Sequence, residues 1–199
     1  MNTIFTIGHS DHSLDEFLNL LVQHRISALA DVRSVPFSQR QPQYSKPALA
    51  EALACRGIAY VYLGEQLGGR SSARMRGEMR AGGYAAMAAT DTFGEGIKRV
   101  LHGSLRHRIA LMCAERDPLD CHRALLVGRA LNAGGAAVDH VLSDGRTESH
   151  ARLEQRLLAA AGHEGGGGDL FASADELLDL AYLRQERRVS LVPGEETSS

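Results

Sequence analysis

Short apolar runs alternate with helix-like runs over the first two thirds of the chain. The apolar runs predict five strands, at residues 3–10, 26–32, 58–64, 108–113 and 136–142. The fourth run, RIALMC, is almost wholly apolar, which is typical of a central strand in a parallel sheet. Strands that alternate with helices predict a single α/β domain of three layers, with a mainly parallel sheet of about five strands.

The helices of the first half carry recognisable start and stop signals. Ser13 and Glu16 have the spacing of a capping box, ahead of an amphipathic helix that ends near His24. Residues 47–57 predict a helix that Gly57 stops, because glycine favours helix ends. Cys55 lies on this helix, and we expect it to be part of the core.

The second half carries weaker helix signals and one clear cap. Residues 84–101 predict one or two helices. Asp117 has the position of an N-cap, with Pro118 in the first helical turn of a helix that runs to about Asn132. Residues 147–162 predict a closing helix.

Composition divides the chain into a domain, a linker and a tail. The α/β domain is expected over residues 1–162, followed by a Gly-rich linker at 163–168. The tail, residues 169–199, contains one predicted amphipathic helix. That helix is a candidate to dock on the domain, on a second subunit in a homo-oligomer, or on a partner protein.

Polar or reactive residues follow most of the predicted strands. In α/β sheets, ligands bind beyond the carboxyl ends of the strands, so these segments predict a shared crevice. The segments are Gly8-His9-Ser10, Asp31-Val32-Arg33, Gly64-Glu65, Cys113-Ala114-Glu115 and Ser143-Asp144-Gly145.

Cys113 is the candidate nucleophile of this crevice. It ends an apolar strand and precedes a predicted helix N-terminus, where the local positive charge lowers a thiol pKa. Arg116, His122 and Arg123 are placed to strengthen that effect. The alternative interpretation is an inert core cysteine at a strand end.

Cys121 would lie in the first turn of the next helix, close enough to pair with Cys113 as a supporting or resolving thiol. The spacing is not C-x-x-C, so whether the two form a redox pair stays open. No metal is predicted. A metal site of Cys113 and Cys121, with His9 and His122 as the nearest histidines, is an alternative that has too few ligands for a typical zinc site.

The remaining candidates suit proton transfer and anion binding. His122 is a candidate acid or base, and Arg123 a bidentate anion ligand. Asp31 and Arg33 alternate to the same side of their strand, and either pair with each other or hold a substrate. The other residues assigned to the crevice are His9, Ser10, Tyr44, Glu115, Glu65 and Arg70. Tyr44 either stacks on a base or packs against the protein.

Bulk composition narrows the class of protein. The 199 residues include 44% hydrophobic and 23% charged residues, as in an ordinary globular domain. A net charge of −2 gives no basic surface for duplex binding, although a local basic groove stays open. Without a signal-peptide pattern, a membrane-span pattern or a disulfide framework, a reducing cytoplasm is the expected location.

Several motifs occur in a recognisable order: TIGHS, DVRSVPFS, GIAYVYLGEQLGG, LMCAERDPLDCHR and LFA…AYLRQ. Together they resemble the bacterial and archaeal family catalogued as domain of unknown function 488, over nearly the whole chain. The resemblance implies a small Rossmann-like α/β fold, and it names no reaction. It points to His9, Ser10, Asp31, Arg33, Cys113, Glu115, Cys121, His122 and Arg123 as signature residues.

A more distant resemblance links ALADVR and IALMCAERDPLDCHR to rhodanese-type sulfurtransferases. In those proteins the loop after the cysteine is a short cradle of backbone amides, whereas AERDP carries acids and a proline. The C-x5-R spacing of cysteine phosphatases is also absent, because Arg123 lies ten residues after Cys113.

The leading hypothesis is a thiol-dependent transferase or hydrolase that acts on a small anionic or nucleotide-like substrate. Cys113, Cys121 and His122 would perform the chemistry, and the arginines would bind the anion. One alternative is a nucleotide- or nucleic-acid-binding module, based on arginine-rich loops at 33–40 and 70–80 with Tyr44 between them. Another is a partner-binding protein that uses the tail helix.

Overall fold

The computed structural model describes residues 3–69, 83–162 and 173–191. It is a mixed α/β structure with helices on both sides of a six-stranded sheet, consistent with the predicted Rossmann-like fold. The strands are β1 (Ile4–Gly8), β2 (Ala28–Asp31), β3 (Ala59–Tyr62), β4 (Ile109–Cys113), β5 (Val138–Val141) and β6 (Thr147–Ser149).

The strand order is β3-β2-β4-β1-β5-β6, and all neighbours are parallel except β5 and β6. The five predicted strands are confirmed. The prediction of a helix from residue 147 was wrong for its first three residues, which form β6. A tight turn at Gly145, with φ of +81°, reverses the chain so that Ser149 pairs with Asp139. The helix begins only at His150.

The described part of the chain contains seven α-helices, besides a short helical segment at 83–88. They are α1 (Leu14–Gln23), α2 (Lys46–Ala54), α3 (Gly64–Leu67), α4 (Asp91–Ser104), α5 (Arg129–Ala133), α6 (His150–Ala160) and α7 (Ala174–Leu191). The two helical segments within 83–104 confirm the prediction for residues 84–101.

The predicted helix signals of the first half are confirmed. Ser13 Oγ accepts from the Glu16 amide at 3.3 Å, and the Ser13 amide donates to Glu16 Oε2 at 2.8 Å. Each side chain therefore satisfies an amide that has no partner inside α1. Helix α1 is capped at its end by His24, and Gly57, with φ of +68°, turns the chain after α2.

Cys55 is exposed, so its assignment to the core was wrong. It is the C-cap of α2, one residue beyond the last full helical position. Leu49 and Leu53 are the residues of α2 that face inward, and both are completely buried. Cys55 therefore serves as an accessible reference thiol.

The segment after β4 differs most from its prediction. Asp117 caps as expected, accepting from the Leu119 amide at 2.8 Å, but only a 3-10 turn (Pro118–Asp120) follows. Cys121 is then extended, with φ of −140° and ψ of 138°, so a continuous helix to Asn132 was wrong. The chain re-enters helical conformation as a buried π-helix (Arg123–Gly128), a form often found at functional sites.

The sheet lies within the first of two compact units, residues 1–150. Strands β1 and β4 are buried along their whole length, whereas edge strand β3 alternates between exposed and half-buried positions. This central position of β4 confirms the expectation from its apolar sequence. Strand β1 is followed by buried His9, whereas β4 is followed by half-buried Ala114 and exposed Glu115.

The second unit covers residues 151–199 and contains most of α6 and all of α7. Within it, Tyr182 donates to Glu154 at 3.0 Å, and Arg184 donates to the Ala161 carbonyl at 3.1 Å. The predicted linker at 163–168 lies outside the described residues. Across residues 3–69, 83–162 and 173–191, no helix is long and apolar enough to cross a membrane.

Candidate functional site

The candidate site lies at the carboxyl ends of three adjacent parallel strands. Gly8 at the end of β1 is in register with Cys113 at the end of β4, and Asp31 at the end of β2 is in register with Met112. Pairing continues past the strands, because the His9 amide donates to the Cys113 carbonyl at 2.9 Å. The segments after these strands therefore meet at one edge, as the order of the elements predicts.

Two thiols and one imidazole nitrogen converge there. The sulfurs of Cys113 and Cys121 and a ring nitrogen of His122 all lie within 4.8 Å of one another. His122 Nδ1 is 3.7 Å from Cys113 Sγ and 3.8 Å from Cys121 Sγ, so one ring nitrogen faces both sulfurs. Both cysteines are buried and free.

The orientation of His122 is fixed by its other nitrogen. Nε2 lies 2.9 Å from the Val32 carbonyl oxygen, which can only accept, so Nε2 carries a proton. Burial opposes a charge on this ring, but the charge of Cys121, its hydrogen bond to the ring and the charge of Glu115 outweigh burial and raise the pKa of His122. Nδ1 is the nitrogen that can exchange a proton with the two thiols. Gly69 packs against the same ring so closely that a Cβ there would lie 2.6 Å from His122 Cγ.

Glu115 joins the cluster through its carboxyl group. Cys121 Sγ donates to its Oε2 at 2.7 Å. The residue as a whole is exposed, but burial of its carboxyl group, followed by the charge of Cys121, raises the pKa of Glu115. The carboxylate is therefore placed to accept the proton of the Cys121 thiol.

The two thiols differ in their electrostatic surroundings. Burial opposes ionisation of Cys121, but the hydrogen bond with Cys113 and the charges of Arg123 and His122 outweigh it and lower its pKa well below the usual thiol range. The Arg123 amide also donates to Cys121 Sγ at 3.4 Å. The hydrogen bond with Cys121, together with burial, raises the pKa of Cys113 well above that range.

The sequence predicted the lowered pKa at Cys113, whereas the contacts of the two thiols favour it at Cys121. The chain has no helix N-terminus directly after Cys113. The amide that donates to sulfur comes from Arg123 and reaches Cys121 instead. Cys121 gains this contact because it lies in an extended segment outside the expected helix.

Arg123 fixes the loop after β4 through its side chain. It is completely buried, and its Nη1 and Nη2 atoms donate to the carbonyl oxygens of Glu115 at 2.6 Å and Arg116 at 3.0 Å. Gly8 permits this close packing, because a Cβ on it would lie 1.9 Å from the Glu115 carbonyl oxygen. Arg123 was predicted to bind an anion, but its terminal nitrogens contact the backbone, which favours a positioning role.

Asp31 and Arg33 form a buried, bidentate ion pair. Arg33 Nε and Nη2 donate to the two carboxylate oxygens of Asp31 at 2.9 and 2.7 Å, and Tyr60 donates to Oδ2 at 2.8 Å. Arg33 Nη2 also donates to the Tyr44 carbonyl at 2.8 Å. Within the described part of the chain, Arg33 Nη1 makes none of these bonds, so it is the group left to meet a ligand.

His9 stacks on Tyr44, with ring centroids 4.2 Å apart. Burial, and then the charge of Arg33, lowers the pKa of His9 to about 4, so the ring is neutral near pH 7. Its Nδ1 lies 3.0 Å from the Ser10 carbonyl, which leaves Nε2 as an acceptor. The Tyr44 ring is fully buried and its hydroxyl donates to the His12 carbonyl, which favours packing over base stacking.

The Ser10 amide donates to the Ala114 carbonyl at 2.8 Å, next to Cys113, while its side chain turns to other partners. Its hydroxyl donates to Asp11 at 2.9 Å in an exposed group that includes Arg116. The hydrogen bond from Arg116 lowers the pKa of Asp11 to about 2. Glu65 is exposed on α3, and Arg70 lies outside the described residues.

Three contributors to the site were not found from the sequence. The Val32 carbonyl orients His122, Gly69 packs on its ring, and Tyr60 binds Asp31. Only Tyr60 could have been found from a sequence pattern. Tyr60 and Tyr62 are two residues apart and share one face of β3, which pairs with the strand that carries Asp31. A carbonyl contact and a close glycine approach leave no periodic pattern.

Cys113, Cys121 and His122 are also the candidate ligands for a metal. Two sulfurs and an imidazole nitrogen suit a soft or borderline ion such as zinc. His122, not His9, completes this group. The Val32 carbonyl would then play the orienting role that partners of ligating histidines usually have.

Comparison with known families supports the three central motifs, DVRSVPFS, GIAYVYLGEQLGG and LMCAERDPLDCHR, whereas TIGHS and LFA…AYLRQ lie outside the matched range. No curated protein and no solved structure matches this chain. One family model, described as Domain of unknown function DUF488, matches residues 13–130, more than half of the chain. The match includes β2, β4, both buried cysteines, His122 and Arg123. The chain therefore belongs to the domain of unknown function DUF488 family.

Proposed function

We propose that this protein is a thiol-dependent transferase or hydrolase that acts on a small anionic or nucleotide-like substrate. The observation that carries the proposal is the position of His122 Nδ1 between two buried sulfurs, at 3.7 and 3.8 Å. Cysteine nucleophiles are activated by an adjacent base and by a lowered pKa, and this cluster offers both.

Cys121 is the nucleophile in this proposal, and Cys113 is the supporting thiol. This reverses the roles expected from the sequence, because the hydrogen bond with Cys113 and the charges of Arg123 and His122 favour the thiolate at Cys121. The charged His122 ring, whose Nδ1 lies 3.8 Å from Cys121 Sγ, gives its proton to the leaving group and becomes neutral. His122 Nδ1 then accepts a proton from water or from a second substrate.

Arg33 supplies the anion specificity. Its carboxylate partner Asp31 fixes the guanidinium plane, and the charge of Arg33 acts on both His9 and Cys113. Nη1 has two N–H groups that suit a carboxylate or phosphate oxygen. Neutral His9 Nε2 accepts from a substrate hydroxyl or N–H group, which gives the site a second, uncharged contact.

Alkylation with iodoacetate and iodoacetamide tests this proposal without knowledge of the natural substrate. The two reagents carry the same leaving group, but only iodoacetate is an anion. We expect the iodoacetate-to-iodoacetamide rate ratio at Cys121 to exceed that at exposed Cys55 by about tenfold, the kinetic equivalent of one charge-assisted hydrogen bond of about 1.4 kcal/mol. Peptide mass spectrometry resolves the rates at each cysteine.

Arg33→Lys is the informative variant. A lysine ammonium that pairs with Asp31 has no second donor group in a fixed plane that could bind the anion. In this variant, the iodoacetate-to-iodoacetamide rate ratio at Cys121 is expected to fall to the ratio at Cys55. Arg146→Lys is the matched control, since Arg146 pairs with Asp144 across the same two-residue spacing but is exposed. Equal ratios at Cys121 and Cys55 in the unmodified protein would overturn the anion-directed mechanism.

A further inference from the structure

We propose that Cys113 and Cys121 act as a dithiol–disulfide pair that exchanges with small disulfides bearing carboxylate groups. This inference rests on the proposed function, since it uses the same nucleophile and the same anion-binding arginine. It adds a substrate class and a role for the second thiol, which a simple cysteine nucleophile does not require.

The first observation is the shared base. His122 Nδ1 is nearly equidistant from the two sulfurs, and its Nε2 is committed to the Val32 carbonyl. A histidine that activates a single cysteine nucleophile needs only one sulfur close to its ring nitrogen. Here both thiols can exchange a proton with the same atom, which is the requirement of a two-step exchange.

The second observation is the backbone around the pair. The sulfurs lie within 4.8 Å of each other and must approach to about 2.0 Å to form a bond. The backbone of Cys121 is extended, but its amide donates to the Pro118 carbonyl at 3.2 Å and its carbonyl accepts from the Ala124 and Leu125 amides at 3.1 Å. Cys113 is held at the end of central strand β4. The two sulfurs therefore approach by rotation of the cysteine side chains.

The first step forms a mixed disulfide. The Cys121 thiolate attacks one sulfur of the small disulfide, the original S–S bond breaks, and the first small thiolate leaves. It takes a proton from the charged His122 ring, whose Nδ1 lies 3.8 Å from Cys121 Sγ, and the ring is then neutral for the second step. Arg33 Nη1 binds a carboxylate of the small disulfide during the attack.

The second step resolves the mixed disulfide. Cys113 gives its proton to His122 Nδ1, and the resulting thiolate attacks Cys121 Sγ. A Cys113–Cys121 bond forms, the second small thiolate leaves, and it takes the proton from His122. The two protein sulfurs are oxidised by two electrons in total, and the small disulfide is reduced to two thiols.

Oxidised glutathione is the test reagent, applied to the full chain carrying Cys55→Ser so that the exposed thiol does not react. We expect the protein to lose the mass of two hydrogens, to retain no glutathione, and to yield a cross-linked peptide pair that dithiothreitol reverses. Cystamine, a cationic disulfide, is expected to react more slowly. A glutathione adduct without an internal disulfide would overturn the inference.

Single variants separate the two steps. Cys113→Ser is expected to trap glutathione on Cys121, whereas Cys121→Ser is expected to form neither product. A tightly bound zinc ion that blocks oxidation in the purified protein would also overturn the inference, in favour of a metal site. Anion-directed alkylation of Cys121 without internal disulfide formation would leave the proposed function intact and reject only this inference.

Discussion

Replacing Asp31 with asparagine is expected to lower the free energy of unfolding by about 3–5 kcal/mol, the usual cost of removing one partner from a buried ion pair. Asp31 is completely buried and accepts from the Arg33 amide, Nε and Nη2, and from the Tyr60 hydroxyl. Asparagine has one acceptor oxygen in place of two. Its amide group would face a donor of Arg33 and leave a buried cation without its charge partner.

Urea denaturation measures this loss. Asp144→Asn is the matched control, because Asp144 binds Arg146 with the same spacing and the same 2.7 Å distance at an exposed position. Exposed pairs contribute at most about 1 kcal/mol, so the control should change little. Equal losses for the two variants would show that burial of the Asp31–Arg33 pair has no energetic consequence.

Replacing Gly8 with alanine is the second large effect that we expect. Its Cβ would lie 1.9 Å from the Glu115 carbonyl oxygen, which is far inside contact distance, so the loop after β4 must move. Overpacking of this kind typically costs about 1–3 kcal/mol. The movement also displaces the carbonyl that Arg123 binds, so the reactivity of Cys121 should change along with stability.

Gly94→Ala is the control for this substitution. Gly94 lies in α4, and an added Cβ there would meet nothing within 4 Å. Alanine is favoured over glycine inside a helix by about 0.5–1 kcal/mol, so this variant should be slightly more stable. A Gly8→Ala protein with unchanged stability and unchanged Cys121 labelling would contradict the close packing of the loop.

The sequence was sufficient to predict those elements that repeat a local pattern. The five parallel strands follow from apolar runs, and α1 follows from the spacing of Ser13 and Glu16. Strand β6 could not be found in this way, because three residues are too few to show alternation and their pairing depends on the turn at Gly145. The π-helix likewise depends on the buried surroundings of Arg123 and not on a sequence period.

The sequence also predicted which strand ends would meet, but not the tasks of individual side chains. Cys113, Cys121 and Glu115 converge as expected from the topology, with His122 between the sulfurs. Which thiol ionises depends on single contacts, such as the Arg123 amide at Cys121, that no spacing rule describes. Arg123 follows His122 in the sequence and was predicted to bind an anion, yet its guanidinium donates to backbone carbonyls.

The pH dependence of alkylation at Cys121 tests the central claim most directly. A lowered pKa keeps a thiol ionised as the pH falls below the ordinary cysteine value of about 8.5, so the reactive form persists where an ordinary thiol loses it. Because Cys121 is buried, the shape of the profile is informative and the absolute rate is not. Exposed Cys55 in the same chain is the internal reference.

Iodoacetamide labelling followed by peptide mass spectrometry supplies both profiles from one sample. We expect the labelling rate at Cys121 to fall less than the rate at exposed Cys55 as the pH is lowered from about 8 to about 6. A Cys121 profile that falls in parallel with that of Cys55, or a constant profile at Cys113 instead, would contradict a thiolate at Cys121.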